Sequence, residues 1–379
     1  MPLQDRIGRR RKCAPLRPAS KQARRGPEAF WCLASSSPNI TADTHPAWHG
    51  TVRPRKQGAT MCRHWLIGLL AAVVMSAPAT AAGLKLVTIP ADAADPAITV
   101  ALWYPSADKP SPVKFGMFTA LAAQDGQIIG RGLPLVVLSH GRGGSYVVHH
   151  DTAEHLADAG FVVAALDHPG DTALDKSLFS DLSIYMRRPR DVKRVIDYVT
   201  GASPLATMID PNRIGIYGFS RGGYTALVAI GGNPDFALGL PFCQGRTDKI
   251  CDQIRAQDYS KEPLTHDPRI KAAAIADPAS VFFTGEGLAG ITIPVQLWGS
   301  EKGGDGIAPK TIEAVDTALR APHTFTQVEH AQHFSFLTIC PPQIAEKEPV
   351  ICKDPPDFDR AQFHEQFNDA LARFFRANL

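Results

Sequence analysis

Gly218, Phe219, Ser220, Arg221 and Gly222 set a serine between two glycines, after the apolar stretch 213–218 and before a helical pattern. A G-x-S-x-G at a strand-to-helix turn suits a nucleophilic serine. The turn is so sharp that its flanking residues must be small, and it lifts the hydroxyl to the helix N-terminus. A serine hydroxyl attacks well only when a base takes its proton and an acid orients that base. In this arrangement the base comes last in the chain. His333, in Glu329-His330-Ala331-Gln332-His333-Phe334, follows the last expected strand and precedes the closing helix. His330 stands too close to that strand's end, His323 precedes the strand, and His364 lies inside the closing helix.

Two carboxylates compete for the role of acid. Asp277 stands at the end of the strand expected over 270–276, and Asp305 stands in the glycine-rich loop after the strand expected over 295–298. Position favours Asp277; Asp305 is the alternative, able to reach only if its loop is longer than usual, and Glu301 comes too early and faces away. Ser139-His140-Gly141-Arg142-Gly143-Gly144 follows another apolar strand. Its glycines let main chain approach a substrate closely. The backbone N–H groups of Arg142 and Arg221 are therefore the expected oxyanion donors. Their side chains can either meet an anionic substrate group or point back to structural carboxylates.

Apolar runs alternating with helical patterns position these residues. Strands are expected at 84–89, 98–104, 135–139, 161–166, 213–218, 270–276, 295–298 and 324–328. Helices are expected at 146–159, 191–199, 221–231, 311–319 and 359–375. This alternation specifies an α/β fold with a mostly parallel central sheet flanked by helices. Residues 233–268 break the rhythm with four prolines and two cysteines, and read as a small cap insertion.

Upstream, residues 1–60 carry twelve Lys or Arg against three Asp or Glu, and read as a disordered basic extension. Met61 opens a signal-peptide pattern, with an apolar run over 65–75 and the A-x-A site Ala79-Thr80-Ala81. Residues 61–81 are thus the expected signal peptide, with translation starting at Met61 and 1–60 a start-site overrun. Cleavage after Ala81 leaves a domain of residues 82–379 with 27 basic and 34 acidic residues, net −7. That charge removes the case for nucleic acid as a partner. No stable membrane insertion is expected once the leader is gone, and nothing specifies an oligomeric state. The remaining cysteines are Cys243, Cys251, Cys340 and Cys352. An even number in an exported chain suggests disulfides, and proximity favours Cys243–Cys251 and Cys340–Cys352. No CxxC or paired-histidine spacing indicates a zinc site; neither metal nor cofactor is expected.

The order Trp103-Tyr104-Pro105-Ser106, SHGRGG, Asp167-His168-Pro169-Gly170-Asp171, GFSRGG, Ala276-Asp277-Pro278, Trp298-Gly299-Ser300-Glu301 and AQHF resembles the bacterial predicted dienelactone hydrolase group of the α/β-hydrolase superfamily. That group is related to the platelet-activating-factor acetylhydrolases. The resemblance spans 84–379 and implies the α/β-hydrolase fold, an acid matching Asp277 and oxyanion donors matching Arg142 and Arg221. True dienelactone hydrolases carry a cysteine nucleophile where this chain has Ser220, so the group's label does not carry over to substrate. The expectation is a secreted or periplasmic serine carboxylic-ester hydrolase working through an acyl-enzyme on short-chain acyl esters. A lipase or phospholipase, an acyltransferase with the same triad, and a non-catalytic hydrolase-like binding protein are the alternatives.

Overall fold

Strands buried on both faces read as continuous apolar runs, and these runs build the centre of the molecule. The computed structural model describes residues 81–379. The readings of a basic extension and a signal peptide therefore lie outside the described residues, except that Ala81 opens the first strand. In chain order the elements are β1 (Ala81–Ile89), β2 (Ile98–Ser106), β3 (Ser111–Phe115), β4 (Phe118–Gln124), β5 (Leu133–Ser139), α1 (His150–Asp158), β6 (Val162–Leu166), α2 (Ser183–Gly201), β7 (Ile209–Phe219) and α3 (Arg221–Ala229). They continue with α4 (Lys249–Ala256), β8 (Ile270–Ala276), β9 (Val295–Ser300), α5 (Pro309–Ala318), β10 (His323–Val328), α6 (Pro342–Lys347), α7 (Pro349–Cys352) and α8 (Arg360–Asn378).

One sheet runs in the order β10-β9-β8-β7-β5-β6-β2-β1-β4-β3. The six strands from β10 to β6 are parallel, while β2 runs antiparallel to both β6 and β1. Side chains alternate along each strand between two cores. Leu135, Val137, Ile214 and Ile216 face α2, α3 and α5, through Val192, Val195, Leu227 and Ile312. Val136, Leu138, Tyr217 and Phe219 face α1 and α8, through Leu156, Phe367, Leu371 and Phe375. Strand β5 is followed by neighbour β6 on one side and neighbour β7 on the other. In open α/β sheets the crevice above such a switch point is where ligands bind. The end of β5, the end of β7 and the start of α3 all lie there.

The architecture is the expected one, with three local corrections. Strands β3 and β4 form a hairpin that pairs β4 alongside β1, over a stretch where no element is expected from sequence. Helix α1 starts at His150, not 146: the chain before it turns in three-residue steps, Val148 N–H to the Ser145 carbonyl and His150 N–H to the Val147 carbonyl, with the Tyr146 N–H held by Asp167 Oδ1 at 2.8 Å. Helix α2 starts eight residues before 191 and passes through Pro189. A proline there forfeits one helical hydrogen bond. The buried stripe Ile184, Tyr185, Arg188, Val192, Val195, Ile196 and Val199 runs past it unbroken and holds the helix together.

Residues 233–268 carry a single turn at 236–239 and α4, capped by Asp248, whose side chain accepts the Cys251 N–H. Their own small core joins Phe236, Cys243, Cys251 and Ile254 to Tyr185, Tyr224 and Phe282 of the main body. Both expected disulfides, Cys243–Cys251 and Cys340–Cys352, are formed. Among the described residues no helix is long and apolar enough to cross a membrane.

Candidate active site

The turn from β7 into α3 places Ser220 at φ 57° and ψ −118°, a backbone region that non-glycine residues rarely occupy. Packing compels this. A Cβ on Gly218 would sit 2.2 Å from the Gly222 carbonyl oxygen, and one on Gly222 would sit 1.9 Å from that of Ser139. Only glycine fits at either position. The β5 loop, the elbow and α3 are thereby pressed together. A Cβ on Gly141 would lie 3.2 Å from the Ser220 Cβ, so the 140–144 loop abuts the serine directly.

Ser220 Oγ lies 3.0 Å from His333 Nε2. His333 Nδ1 lies 3.0 Å from Asp277 Oδ2. The His333 ring stacks on Phe219 at 4.7 Å between centroids and is 1 % exposed. Asp277 is fully buried, and both oxygens of its carboxylate are hydrogen-bonded. Oδ1 accepts the Ser300 N–H at 2.7 Å, and Oδ2 accepts the Ser300 hydroxyl at 2.5 Å. With His333 Nδ1 donating to this carboxylate, Nε2 is left to accept the Ser220 proton. Ser300, the last residue of β9, was not singled out from the sequence; a serine ending a strand carries no signal until its neighbour is known.

Asp305 stands apart from His333. Its carboxylate takes the Arg142 guanidinium at 3.0 Å across the mouth of the site. The loop that carries it contacts His333 by main chain instead: the His333 N–H donates to the Gly303 carbonyl at 2.8 Å. Glu301 Oε2 accepts the His330 N–H and faces away, as expected.

Both arginine side chains are held by structural carboxylates. Arg221 is 3 % exposed, pairs with Asp171 at 2.9 Å, and lies over the Tyr185 ring at 4.9 Å. Arg142 lies over Phe179 at 4.7 Å. The Arg221 N–H is the first of α3, where no turn of the helix supplies an acceptor.

A cleft of about 160 Å³ opens above Ser220. Its aromatic walls are Phe179, Tyr185, Phe242 and Phe282, and Ile250 and Ile254 of the insertion close one side. The insertion therefore roofs the serine. A second Ser-His-Asp line lies behind: Ser139 Oγ to His168 Nε2 at 2.9 Å, and His168 Nδ1 to Asp191 Oδ2 at 2.9 Å. His168 and Ser139 are wholly buried and line none of this cleft, so no substrate reaches them there. Burial, with Arg188 and His140 nearby, keeps His168 neutral, far below the usual histidine range. Among the described residues no cluster of side chains suits a metal ion.

Comparison with known proteins agrees with the fold. The prolyl oligopeptidase family model matches residues 148–241, a stretch that includes Ser220. A bis(hydroxyethyl) terephthalate hydrolase from Streptomyces coelicolor is 33 % identical over 99 residues, 26 % of this chain and 29 % of that protein. The chain thus matches less than a third of that relative's length. The solved structure of a ferulic acid esterase from Streptomyces cinnamoneus superposes with a TM-score of 0.58 at 22 % identity, covering 80 % of this chain and 92 % of that one. A dienelactone hydrolase from Anabaena variabilis gives 0.44 at 14 % identity, over 78 % of this chain and 99 % of that one. The chain has the α/β-hydrolase fold.

Proposed function

We propose that the protein is a serine ester hydrolase that works through an acyl-enzyme, with Ser220 as nucleophile, His333 as base and Asp277 as acid. The observation that carries this reading is the continuous line from Ser220 Oγ through the His333 ring to Asp277, opening on a roofed cleft. Ser220 Oγ attacks the ester carbonyl carbon while His333 Nε2 takes its proton. Asp277, fixed by Ser300, orients the ring and stabilises the imidazolium. The main-chain N–H groups of Arg142 and Arg221 receive the oxyanion. The alcohol departs with the proton from His333, leaving Ser220 acylated, and water then repeats the steps in reverse roles. Labelling by a fluorophosphonate probe tests the reading. Reaction at Ser220, absent in Ser220→Ala, is expected; an unlabelled wild-type protein without esterase activity would point to a binding protein.

The size of the cleft and its stapled roof support short acyl chains. Each methylene buried on an apolar wall contributes about 0.8 kcal/mol, so a long apolar trough would raise kcat/KM with acyl length. We expect the reverse over p-nitrophenyl esters from acetate to laurate, and a maximum at octanoate or beyond would mark a lipase or phospholipase. A second reading is supported by the four aromatic rings around the cleft and by the names of the relatives: a planar aryl acyl group held between Phe179 and Phe242. Methyl ferulate and a terephthalate diester, tested beside butyrate esters, separate the two. Transfer to an added alcohol at the expense of hydrolysis would mark an acyltransferase. The leader pattern and the two disulfides support an exported, extracytoplasmic protein. Mass spectrometry of the product expressed from Met61 is expected to begin near Ala82 with no free thiols.

A further inference from the structure

An oxyanion hole built from two different elements needs something to hold its donors at a fixed spacing. Here one donor stands in the loop after β5 and the other at the first turn of α3. Nothing covalent links them closely, and a few tenths of an ångström decide whether both reach the same oxygen. The residues behind the site supply the spacer.

Arg188 projects from α2 and is wholly buried. Its guanidinium reaches three segments at once. Nε donates to Thr225 Oγ1 in α3 at 3.0 Å. Nη1 donates to Asp171 Oδ2 at 2.6 Å. Nη2 donates to the His140 carbonyl and, at 3.4 Å, to Ser139 Oγ at the end of β5. Asp171 then reaches back to both donor segments. Its Oδ1 accepts the Gly143 N–H at 3.1 Å, and its Oδ2 accepts Arg221 Nη1 at 2.9 Å. Arg142 is therefore clamped on both sides, by Arg188 at the His140 carbonyl and by Asp171 at the Gly143 N–H. Arg221 is clamped by Asp171 through its side chain and by Thr225, whose hydroxyl donates to the Arg221 carbonyl at 2.9 Å.

Two buried arginines and one buried aspartate cost desolvation that a pair of apolar side chains would not incur. A guanidinium with its rigid fork of five donors is the side chain that can span three partners in fixed geometry. The Asp171 carboxylate stays ionised: burial alone would raise it, but Arg188 and Arg221 pull it below the usual range. Arg188 is drawn down by burial to about 10 and remains charged at neutral pH.

We propose that Arg188 and Asp171 are positioning residues that set the separation of the two oxyanion donors. The pair touches neither substrate nor Ser220, and acts through the main chain of residues 140–143 and 221. The proposal rests on the ester-hydrolase reading above. Activity and fluorophosphonate labelling of the wild type test that reading first and separately.

The experiment compares Arg188→Lys and Asp171→Asn with wild type, per active site titrated with fluorophosphonate. Lysine keeps the charge but cannot span three partners; asparagine keeps the shape but loses the second charged acceptor. A misplaced oxyanion donor costs catalysis, not ground-state binding, so kcat is expected to fall about 10–100-fold with KM within about threefold. The decisive readout is a trifluoromethyl ketone inhibitor, whose tetrahedral adduct needs the same two donors. Its Ki is expected to rise by the factor by which kcat/KM falls. A merely structural role lowers the melting temperature and the titratable fraction but leaves Ki per active site unchanged. Thr225→Ala removes one acceptor and leaves no charge unpaired, which serves if both charge variants fail to fold. It is expected to move Ki and kcat/KM together by about threefold. Unchanged Ki in the folded variants, or kcat falling without any change in Ki, overturns the proposal.

Discussion

The floor and the roof of the cleft are built on opposite principles. The floor is made of strand ends: Ser220 follows β7, Asp277 follows β8 and Ser300 ends β9. Ser220 and Asp277 both have positive φ, at 57° and 42°, and both are almost completely buried. Such strained backbone persists only where the surroundings over-determine it; here the parallel strands and the glycine-enforced close approaches do so. The roof, residues 233–268, has a small core of its own and one short helix pinned by a disulfide. Several of its large side chains, Leu238, Leu240 and Phe242 among them, stand open to solvent. On the proposed function, the chemistry falls to the buried strand ends and substrate fit to the more exposed insertion.

Floor substitutions should therefore act on kcat and roof substitutions on KM. The largest effects fall on the triad. Ser220→Ala is expected to cost about 10⁴-fold or more in kcat with the fold intact. Asp277→Asn should approach that loss, since a His333 ring donating to the wrong partner is costly, by about 10⁴-fold where such a change has been measured in another triad. Asp305→Asn, by contrast, releases only a half-exposed pair with Arg142 and should stay within about tenfold of wild type. Steady-state kinetics of the three variants on one p-nitrophenyl ester decide it. An Asp305 variant worse than the Asp277 variant would move the acid to the other loop and dissolve the division between floor and rim.

The roof staple comes next. Replacing Cys243 and Cys251 by serine opens a loop of sequence separation 8. Loop-closure entropy for so short a loop is worth about 2–3 kcal/mol. The roof core should loosen first, because Cys243 and Cys251 are buried within it. KM for short esters is expected to rise while kcat per titrated site holds. Loss of kcat in step with KM would mean that the roof helps fix the triad.

How far the sequence could be read follows the same division. That Ser220, His333 and Asp277 would meet was legible in outline, because strand, glycine and serine in local spacing place Ser220 at a strand-to-helix turn and chain order places His333 after the last strand. The order of acid and base narrowed the acid to two residues, and loop geometry decided which of them meets His333. The Gly303 carbonyl holds the His333 main chain, so the 303–305 loop is spent on backbone contact. What stayed hidden was long-range and polar. Arg188 and Asp171 meet across loops, Pro189 masked the helix that presents Arg188, and the hairpin of β3 and β4 carries Pro112 and buries only alanines from β4, which leaves a weak strand signal.

The floor also carries a pH signature. His140 donates Nδ1–H to the Gly141 carbonyl at 2.6 Å and accepts the His168 N–H on Nε2 at 3.2 Å, so its ring is neutral in this arrangement. Burial, reinforced by Arg188, pushes it down to about 3 from its ordinary 6.5. The unfolded chain binds this proton more readily, so the stability it contributes is full above pH 6.5 and is lost as pH falls toward 3. Buried Asp191 and half-buried Glu154 act in the opposite sense: desolvation lifts each to about 7. The clean observable is therefore the difference between wild type and His140→Asn in urea unfolding. The advantage of wild type is expected to shrink by about 1.4 kcal/mol per pH unit below 6.5. A difference independent of pH would place the histidine's proton elsewhere.

The smallest effect tests the roof alone. Phe242 is 43 % exposed, carries the Arg246 guanidinium 4.5 Å above its ring, and reaches toward Gly306 on the opposite rim. It spans the cleft without touching the triad. Phe242→Ala removes apolar contact that substrate and transition state share, so KM should rise and kcat should stay within about twofold. Because the ring is only half buried, the loss should be about 1 kcal/mol, well below the cost of truncating a core phenylalanine. The variant also separates a wall from a lid. If Phe242 is a wall, kcat/KM for p-nitrophenyl butyrate falls and the preference for short chains weakens, since the longer acyl chain gains the vacated space. If it is part of a lid that must close before acyl transfer, kcat falls for every chain length alike. That second outcome would make the roof a participant in the chemistry and erase the contrast between the two halves of the cleft.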